Sequence, residues 1–240
     1  MPAYVVSGAR TGIGLGYVRE LSQTPANTVF ALVRSLAGDL TALRAIQQAN
    51  GKVHVLECDI SSQASISALP ASLQATAGGS SPVQINVLIN NAAILHSRPE
   101  TALTLTPDAF LSHMTTNVLG PALLLQALLP LLAPAARVVN ITSGIASLAL
   151  VGDGTIDAVL APYSISKTAL NMLTVHQARQ VGGGVVVVAV DPGHVKTEMG
   201  AEGAFVEVED SARGVLKVVE GLGDGDKGRF FSYTGEEVPW

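Results

Sequence analysis

The amino-acid sequence predicts an α/β protein with a doubly wound parallel sheet of about seven strands and helices on both faces. Short apolar runs alternate with helical patterns along the whole chain, which is typical of strands joined by crossover helices. The run at 185–190 is almost pure valine, as expected for a strand that is buried on both faces. Neither a repeat nor a linker divides the 240 residues, so we expect one domain, 1–240.

The composition favours a compact protein in a reducing compartment. Hydrophobic residues make up 48% of the chain and charged residues 14%, which supports a large core and argues against disorder. The net charge of −5 argues against a nucleic-acid-binding role. Cys58 is the only cysteine, so no internal disulfide can form. Because the N-terminus also lacks a signal-peptide pattern, we expect a cytoplasmic protein.

One segment, 118–139, is apolar enough to suggest a membrane span, since Arg137 is its only charged residue. It also contains three prolines, which divide it into a helix and a following strand. We therefore expect a core helix here and no membrane association.

The chain begins with a pattern that is typical of a phosphate-binding unit. An apolar strand at 3–7 runs into the glycine turn Ser7–Gly14, and a helical pattern follows from 12 to 22. Glycines let the backbone approach a pyrophosphate, and the helix N-terminus offers free N–H groups. The spacing is G-x-x-x-G-x-G, which differs from the common dinucleotide fingerprint.

The end of the second strand predicts which dinucleotide binds. That strand, 28–33, is followed by Arg34 and Ser35, and the first acidic residue beyond it is Asp39. An acidic residue at the position of Arg34 would bind the free ribose hydroxyl of NAD, whereas a guanidinium suits the 2′-phosphate of NADP. We therefore favour NADP. Arg34 as a solvated residue at a strand end is the alternative, and Arg10 would add a second positive charge.

The middle of the chain places polar residues at the ends of two further strands. The helices are expected at 38–49 and about 61–77, and the strands at 53–57 and 85–90. Asp59 follows the first of these strands, where it would either accept a hydrogen bond from an adenine amino group or cap the next helix. The second strand runs into Asn90-Asn91-Ala92-Ala93, where the asparagines can tie loops together and the alanines let a ligand pass closely.

The second half of the chain continues the alternation of strands and helices. Asn117 lies inside an apolar helix, where its amide needs a partner, and Ser143 follows a strand that can present it to a ligand. The interval 145–162 is expected to be a long loop that forms a substrate wall. The remaining elements are expected as helices at 107–132, 163–180 and 208–220 and strands at 136–142, 185–190 and 229–233.

Tyr163 and Lys167 form a candidate acid–base pair. They are four residues apart at the start of a helical pattern and therefore share one helix face. A lysine ammonium favours the phenolate, so we expect it to lower the tyrosine pKa from about 10. Alone, this spacing is also common in surface Tyr–Lys pairs.

In combination, these motifs resemble the short-chain dehydrogenase/reductase family, and the resemblance covers essentially the whole chain. It rests on motifs in the family order: Ser7–Gly14, Asp59, Asn90–Ala93, Asn117, Ser143, Tyr163 with Lys167, and Pro192–Thr197. The ending, 228–240, is similar to the sniffer-type, C-factor-like carbonyl reductase branch. Ser7 stands where the family usually has threonine, and Ala93 where glycine is common. The interval between Ser143 and Tyr163 is longer than is usual in the family.

The resemblance implies a Rossmann-type fold and an NADPH-dependent reduction of a ketone or aldehyde. Tyr163 is then the general acid, Lys167 lowers its pKa and binds the nicotinamide ribose, Ser143 polarises the carbonyl, and Asn117 holds a water that links Lys167 to solvent. Alcohol oxidation or epimerisation on the same scaffold, and a non-catalytic NADP(H) sensor, are the alternatives.

The resemblance also implies the binding sites and the partners. The expected cofactor-binding residues are Ser7, Gly8, Arg10, Thr11, Gly12, Ile13, Gly14, Arg34, Ser35, Asp59, Ile60, Asn91, Ala92, Ala93, Tyr163, Lys167, Pro192, Gly193, Val195 and Thr197. The expected substrate pocket is apolar and contains Ile94, Leu95, His96, Ile145, Leu148, His194, Met199 and Phe205, so we expect a hydrophobic substrate. We expect no metal site, and we expect the protein to form a homodimer or homotetramer.

Overall fold

The structure is a computed structural model and describes residues 1–78, 82–95, 100–200 and 202–240. It contains one seven-stranded sheet in which every adjacent pair is parallel, with the order β3-β2-β1-β4-β5-β6-β7. The predicted fold class is confirmed. The strands are β1 (Ala3–Ser7), β2 (Thr28–Val33), β3 (Val53–Glu57), β4 (Ile85–Asn90), β5 (Leu132–Ile141), β6 (Val186–Asp191) and β7 (Phe230–Ser232).

Helices cover both faces of the sheet and enclose two apolar cores. The helices are α1 (Gly12–Ser22), α2 (Thr41–Ala49), α3 (Gln63–Ala77), α4 (Pro107–Met114), α5 (Gly120–Leu128), α6 (Leu148–Gly152), α7 (Ala161–Gln180) and α8 (Val208–Gly221). The first core joins α1, α2 and α8 to one side of the strands, and the second joins α3, α5 and α7 to the other side. Side chains alternate between the faces of a strand, so Val5 and Val6 of β1 enter different cores.

Three sequence expectations need correction. The strand expected at 136–142 begins earlier, because β5 starts at Leu132. The interval 145–162 is not a plain loop, because it contains the short helix α6. The predicted helix at 107–132 is a helical run in which a π-helical segment, Thr115–Leu119, separates α4 from α5. A one-turn π segment inserts a residue into a helix and often marks a functional position. Here that segment contains Asn117.

The helical run Pro107–Leu131 is long and apolar enough to cross a membrane by length and composition alone. An 18-residue window of this run has a mean hydropathy of 1.3, and 33% of that window is buried, so the expected core helix packs along one side and leaves another side open. Its buried side packs on α3 and α7. One such helix is weak evidence for a membrane span, since helices that pack on a sheet meet the same criteria.

The sheet order places a cleft at the carboxyl ends of β1 and β4. The chain leaves β1 toward β2 on one side, while β4 lies on the other side of β1. At such a switch point the connecting loops diverge, and ligands of open α/β sheets bind in the crevice between them. The glycine turn follows β1, and Asn91 follows β4, so both predicted motifs lie at this crevice.

Candidate active site

The glycine turn is packed so closely that two of its glycines cannot carry a side chain. A Cβ on Gly14 would lie 2.2 Å from the carbonyl oxygen of Gly8, and a Cβ on Gly8 would lie 2.8 Å from the Cα of Ala92. Gly8 also has a φ of +67°, in the left-handed region that favours glycine. The turn leads into α1, whose N-cap residue, Thr11, makes no side-chain cap. The free N–H groups of α1 therefore fit a phosphate.

The residues after β4 hold this turn in place. The Ser7 hydroxyl oxygen accepts hydrogen bonds from the backbone N–H groups of Asn91 and Ala92, at 3.0 and 3.1 Å. The Asn91 amide donates to the carbonyl oxygen of Ser7 at 3.0 Å. The expectation that this asparagine ties loops together is confirmed. Ser7 thus supplies the hydroxyl that these hydrogen bonds require, and Ala93 lies half-buried beside them.

Arg10 and Arg34 lie on the side of the turn that faces β2. The Arg10 guanidinium packs against the loop after β2, with Nη1 2.9 Å from the position of a Cβ on Gly38. Arg34 and Ser35 directly follow β2 and are exposed. The Ser35 hydroxyl accepts from the N–H of Ala37 at 3.2 Å, which shapes the loop between the two arginines. Arg10 and Arg34 are thus both on the side where the second strand ends.

Asp59 makes the local contacts of a turn. One carboxylate oxygen accepts from the N–H of Ser61 at 2.9 Å and from its hydroxyl at 2.7 Å. The cap of α3 itself is Ser62, which accepts from Ser65. Asp59 therefore stabilises the turn before the helix. Recognition of an adenine by its second carboxylate oxygen stays a prediction. Ile60 is buried, and its carbonyl oxygen lies 2.8 Å from the position of a Cβ on Gly120.

The segment after β6 returns to the start of α1. A methyl carbon of Thr197 lies 3.3 Å from the position of a Cβ on Gly12, which brings the two predicted cofactor motifs together. The Thr197 hydroxyl accepts from the N–H of Gly200 at 3.1 Å. Gly193 has a φ of +82°, and Pro192 accepts a hydrogen bond from the Ser211 hydroxyl at 2.7 Å. Val195 is buried and pairs with the segment at Val206, while Ile13 is half-buried in the first turn of α1.

Tyr163 and Lys167 lie on one face of α7, as the spacing predicts. The Lys167 ammonium nitrogen is 5.6 Å from the centre of the Tyr163 ring and donates to the carbonyl oxygen of Ile141 at 2.7 Å. Burial lowers the pKa of Lys167 to about 7. Lys167 is therefore poised to exchange a proton near neutral pH.

The tyrosine pKa moves opposite to the sequence expectation. Burial raises the pKa of Tyr163 above its ordinary value of 10.0, the charge of Asp191 raises it further, and the Ser143 side chain lowers it. Lys167 does not reverse this, because with a pKa of about 7 its amine is neutral in the alkaline range where a phenol ionises, and so it adds little positive charge there. Tyr163 is accordingly protonated in this state of the protein, and Ser143 lies beside its hydroxyl.

The Asn117 side chain has the hydrogen-bond partners that an amide inside an apolar helix needs. Its amide oxygen accepts from the N–H of Ile94 at 2.8 Å, while its two amide hydrogens go to the carbonyl oxygen of Ile94 and the hydroxyl of Ser166, both at 3.0 Å. The amide is thus occupied in clamping the loop after β4 to α7. The expected water that links Lys167 to solvent stays a prediction.

The predicted substrate residues divide into two groups. Leu95 lines a small cavity beside Tyr163, together with Glu100, Ala109, His113, Leu160 and Pro162. Ile145 and Leu148 lie in the segment between Ser143 and α7, and Ile145 accepts from the Ser164 hydroxyl at 2.9 Å. His96 lies outside the described residues.

His194, Met199 and Phe205 form the second group, in the segment after β6. The His194 ring contacts the carbonyl oxygen of Gly200 at 2.7 Å and meets Phe205 edge-on, with 6.1 Å between ring centres. His194 thus has a structural role that the sequence left open. Met199 and Phe205 are 42% and 72% exposed, so they are available to a ligand.

Sequence reasoning missed two residues near Tyr163. His113 is buried in α4, with its ring 6.3 Å from that of Tyr163 and Nδ1 2.7 Å from the carbonyl oxygen of Ala109. The sequence does place this polar residue one turn before Asn117 in an apolar helix, and that position could have indicated a site residue. The second residue is Asp191, at the end of β6, which faces the turn after Ser143. Its position beside the Pro-Gly motif could have indicated a site residue.

Comparisons with known proteins agree with this geometry. The family model described as short chain dehydrogenase matches residues 3–204. The chain is 41% identical to the C-signal protein of Myxococcus xanthus over 65% of this chain and 93% of that protein. The crystal structure of NADPH-bound carbonyl reductase from chicken fatty liver has a TM-score of 0.89 and 33% identity, and covers 100% of this chain and 99% of that one.

A second solved structure points the same way. The carbonyl reductase Sniffer of D. melanogaster has a TM-score of 0.89 and 26% identity, with both chains fully covered. The predicted resemblance to the sniffer-type carbonyl reductases is thereby confirmed. From the family match and these likenesses together, the chain belongs to the short chain dehydrogenase family of oxidoreductases.

Proposed function

We propose that the protein is an NADPH-dependent carbonyl reductase that acts on a hydrophobic ketone or aldehyde. The observation that carries the proposal is the grouping of Ser143, a protonated Tyr163 and a buried Lys167 at the same sheet edge as the glycine turn. The NADPH bound by the chicken enzyme and the NADP named for a Burkholderia multivorans relative support the cofactor.

The residues of the crevice fit NADP(H). The glycine turn and the N-terminus of α1 would hold the pyrophosphate, because Gly8 and Gly14 allow the close backbone packing that shapes this turn. Arg34 and Arg10 would bind the 2′-phosphate, because a guanidinium matches phosphate oxygens with two parallel hydrogen bonds. Asp59 would meet the adenine, and Gly193 and Thr197 would lie at the nicotinamide end.

The remaining side chains perform the proton chemistry. The bound cofactor supplies a hydride for the carbonyl carbon, which leaves negative charge on the carbonyl oxygen. Ser143 and Tyr163 are placed to donate hydrogen bonds to that oxygen, as in an oxyanion hole. Tyr163 then transfers its proton, and Lys167, with a pKa of about 7, can restore it. Asn117 contributes by fixing the loop at Ile94 against α7.

The substrate class follows from the character of the surrounding walls. Leu95, Ile145, Leu148, Met199 and Phe205 offer apolar surface, and a polar sugar would require more donors and acceptors than they provide. The long segment between Ser143 and α7 adds to this surface. A hydrophobic substrate therefore suits the site best.

The test is NADPH oxidation with a panel of hydrophobic ketones and aldehydes. We expect turnover with the wild type, loss of at least about a thousandfold in kcat for Tyr163→Phe with an unchanged melting temperature, and full activity for the control Tyr4→Phe. Tyr4 lies on β1 near Glu220 and Arg137. Full activity of Tyr163→Phe would refute the mechanism. Tight NADPH binding without turnover of any carbonyl would instead support the sensor alternative, and product analysis would reveal alcohol oxidation or epimerisation.

We also propose that the protein forms a homodimer or homotetramer through its long helices. Leu111 and Leu119 on the helical run Pro107–Leu131 are 60% and 50% exposed, and Met172 on α7 is 60% exposed. Exposed apolar side chains on neighbouring helices are typical of an interface. Light scattering of the purified protein measures the oligomeric state, and a monomer at all concentrations would contradict this proposal. A cytoplasmic location stays a prediction.

A further inference from the structure

The segment 236–240 folds back along β7, the last strand of the sheet. The N–H of Val238 donates to the carbonyl oxygen of Phe230 at 2.8 Å. The Trp240 ring stacks on the ring of the same phenylalanine, with 5.4 Å between the ring centres and 30° between the planes. The Phe230 ring is fully buried, so it offers Trp240 a rigid surface. Phe230 thus holds the segment through both its backbone and its side chain.

Segment 236–240 in turn holds the short helix α6. The hydroxyl of Ser147, the N-cap residue of α6, donates to the carbonyl oxygen of Pro239 at 2.6 Å. The N–H of Ala149 donates to the carbonyl oxygen of Trp240 at 3.0 Å. Ala149 lies in the first turn of α6, where N–H groups have no partner within the helix. Because a helix of five residues is not stable alone, these two contacts help to fix its position.

The turn that carries Ser143 is joined to α6 by two routes. The N–H of Ser147 donates to the carbonyl oxygen of Gly144, the residue after Ser143, at 3.0 Å. Beyond the helix, the N–H of Ile156 donates to the carbonyl oxygen of Leu150 at 2.9 Å. A methyl carbon of Ile156 lies 3.1 Å from the position of a Cβ on Gly144. A displacement of α6 would therefore be felt directly at the turn beside Ser143.

We propose that Trp240 is a positioning residue that, by stacking on Phe230, fixes segment 236–240 against α6 and so fixes the turn that presents Ser143 to the carbonyl substrate. The role of Ser143 rests on the proposed function, while the restraint of α6 does not. A hydrogen-bond donor stabilises a developing oxyanion only when it is held at the right distance. A small displacement of such a group lowers the reaction rate, even when the cause lies far from the reacting atoms.

The first measurement is hydrogen–deuterium exchange of the cofactor-free protein, followed by mass spectrometry. Trp240→Ala removes the ring stack, so we expect the backbone amides of 147–151 to exchange at least about fivefold faster than in the wild type. The amides of the glycine turn after β1 should exchange at the wild-type rate. Unchanged exchange at 147–151 in a folded Trp240→Ala protein would overturn the proposal.

Two further substitutions of Trp240 separate the ring stack from folding. Trp240→Phe keeps a ring that stacks, so we expect exchange at 147–151 within about twofold of the wild-type rate. Trp240→Leu keeps apolar bulk without a ring, and it takes the place of the alanine variant if that protein does not fold. We expect it to accelerate exchange at 147–151, and an unchanged rate in this variant would also count against the proposal.

His54→Ala is the matched control. The His54 ring stacks on Phe30 with 5.4 Å between the ring centres and 28° between the planes, which is nearly the geometry of the Trp240 stack. This pair lies on β2 and β3, away from α6. We expect His54→Ala to leave exchange at 147–151 unchanged. An increase as large as in Trp240→Ala would indicate a general loss of stability and would overturn the proposal.

The kinetic test uses a carbonyl compound that the wild type reduces. We expect Trp240→Ala to lower kcat/KM for this compound about three- to tenfold, Trp240→Phe to recover most of the loss, and the dissociation constant of NADPH to stay at the wild-type value. The losses from Trp240→Ala and Ser147→Ala should not add in the double variant, because both act through the same contact with α6. An unchanged kcat/KM in Trp240→Ala, or fully additive losses, would overturn the part of the proposal that concerns Ser143. If the wild type converts no carbonyl compound, the proposed function fails, but the exchange rates still decide whether Trp240 restrains α6.

Discussion

The cofactor side and the substrate side of the crevice are built by different means. On the cofactor side, Gly8 and Gly14 are required because backbone atoms lie too close to their Cβ positions for a side chain. The Cβ position of Gly14, for example, is 2.2 Å from the carbonyl oxygen of Gly8. On the substrate side, α6 is held by side chains that reach distant segments. The Ser147 hydroxyl donates to Pro239 at 2.6 Å and also caps the helix at Leu150. A turn that requires glycine can be recognised in a sequence, whereas hydrogen bonds between distant segments cannot.

The largest effect is expected where the backbone leaves no room. Gly14→Ala places a methyl group 2.2 Å from the Gly8 oxygen and 2.7 Å from the Asn91 amide nitrogen, so the turn must move. We expect loss of NADP(H) binding and a destabilisation of about 1–3 kcal/mol, despite the helix propensity of alanine. Calorimetry and a thermal melt measure both quantities.

Gly152→Ala is the matched control from the substrate side. Gly152 ends α6, and no heavy atom lies within 4 Å of its Cβ position. We expect cofactor binding to be unchanged and stability to be equal or higher by up to about 1 kcal/mol. Equal effects of the two substitutions would remove the contrast between the two sides of the crevice.

A smaller effect is expected from the charge beside the second strand. Arg34→Asp should weaken NADPH by about ten- to a hundredfold relative to NADH, because a charge-assisted hydrogen bond contributes about 1.5–3 kcal/mol. Dissociation constants for both cofactors measure this change. Arg179→Asp, an exposed residue in the last turn of α7, is the control that should alter neither. If Arg34→Asp weakened the two cofactors equally, the role of Arg34 in binding the 2′-phosphate would be wrong.

The smallest effect should appear on the substrate side. Ser147→Ala removes the cap of α6 and the hydrogen bond to Pro239, which should cost about 1 kcal/mol of stability and raise the substrate KM several-fold. NADPH affinity should stay at the wild-type value. Ser72→Ala on the exposed side of α3 is the comparison, since its hydroxyl donates to the carbonyl oxygen of Ala68 in its own helix. A Ser147→Ala variant with altered NADPH affinity and normal KM would show that α6 serves the cofactor instead.

Much of the fold could be predicted from the sequence, because each strand is a short apolar run that ends at a turn. The strands at 3–7, 28–33, 53–57 and 85–90 have the predicted bounds. The glycine turn was predictable for the same local reason. Helix α6 was not, because its five residues depend on contacts with the segment at 239–240, including an Ala149 N–H that bonds the Trp240 carbonyl. The helix is too short to be stable alone.

Parts of the site could not be predicted from the sequence. The face shared by Tyr163 and Lys167 followed from helix geometry, but the direction of the tyrosine pKa depended on burial and on Asp191. The role of Asn117 depended on Ile94 and Ser166, which the chain brings together from two other elements. Such effects arise only when the strand ends converge, so local patterns could not reveal them. The catalytic and binding roles of the individual residues stay predictions.

The central claim is that Tyr163 donates the proton that completes a hydride transfer from NADPH. The most direct measurement uses NADPH that carries deuterium at its transferable position, with a hydrophobic ketone and mass analysis of the alcohol. The account predicts one deuterium on the carbinol carbon with the wild type, and no detectable alcohol with Tyr163→Phe although that variant still binds NADPH. Deuterated alcohol formed by Tyr163→Phe at the wild-type rate would contradict it.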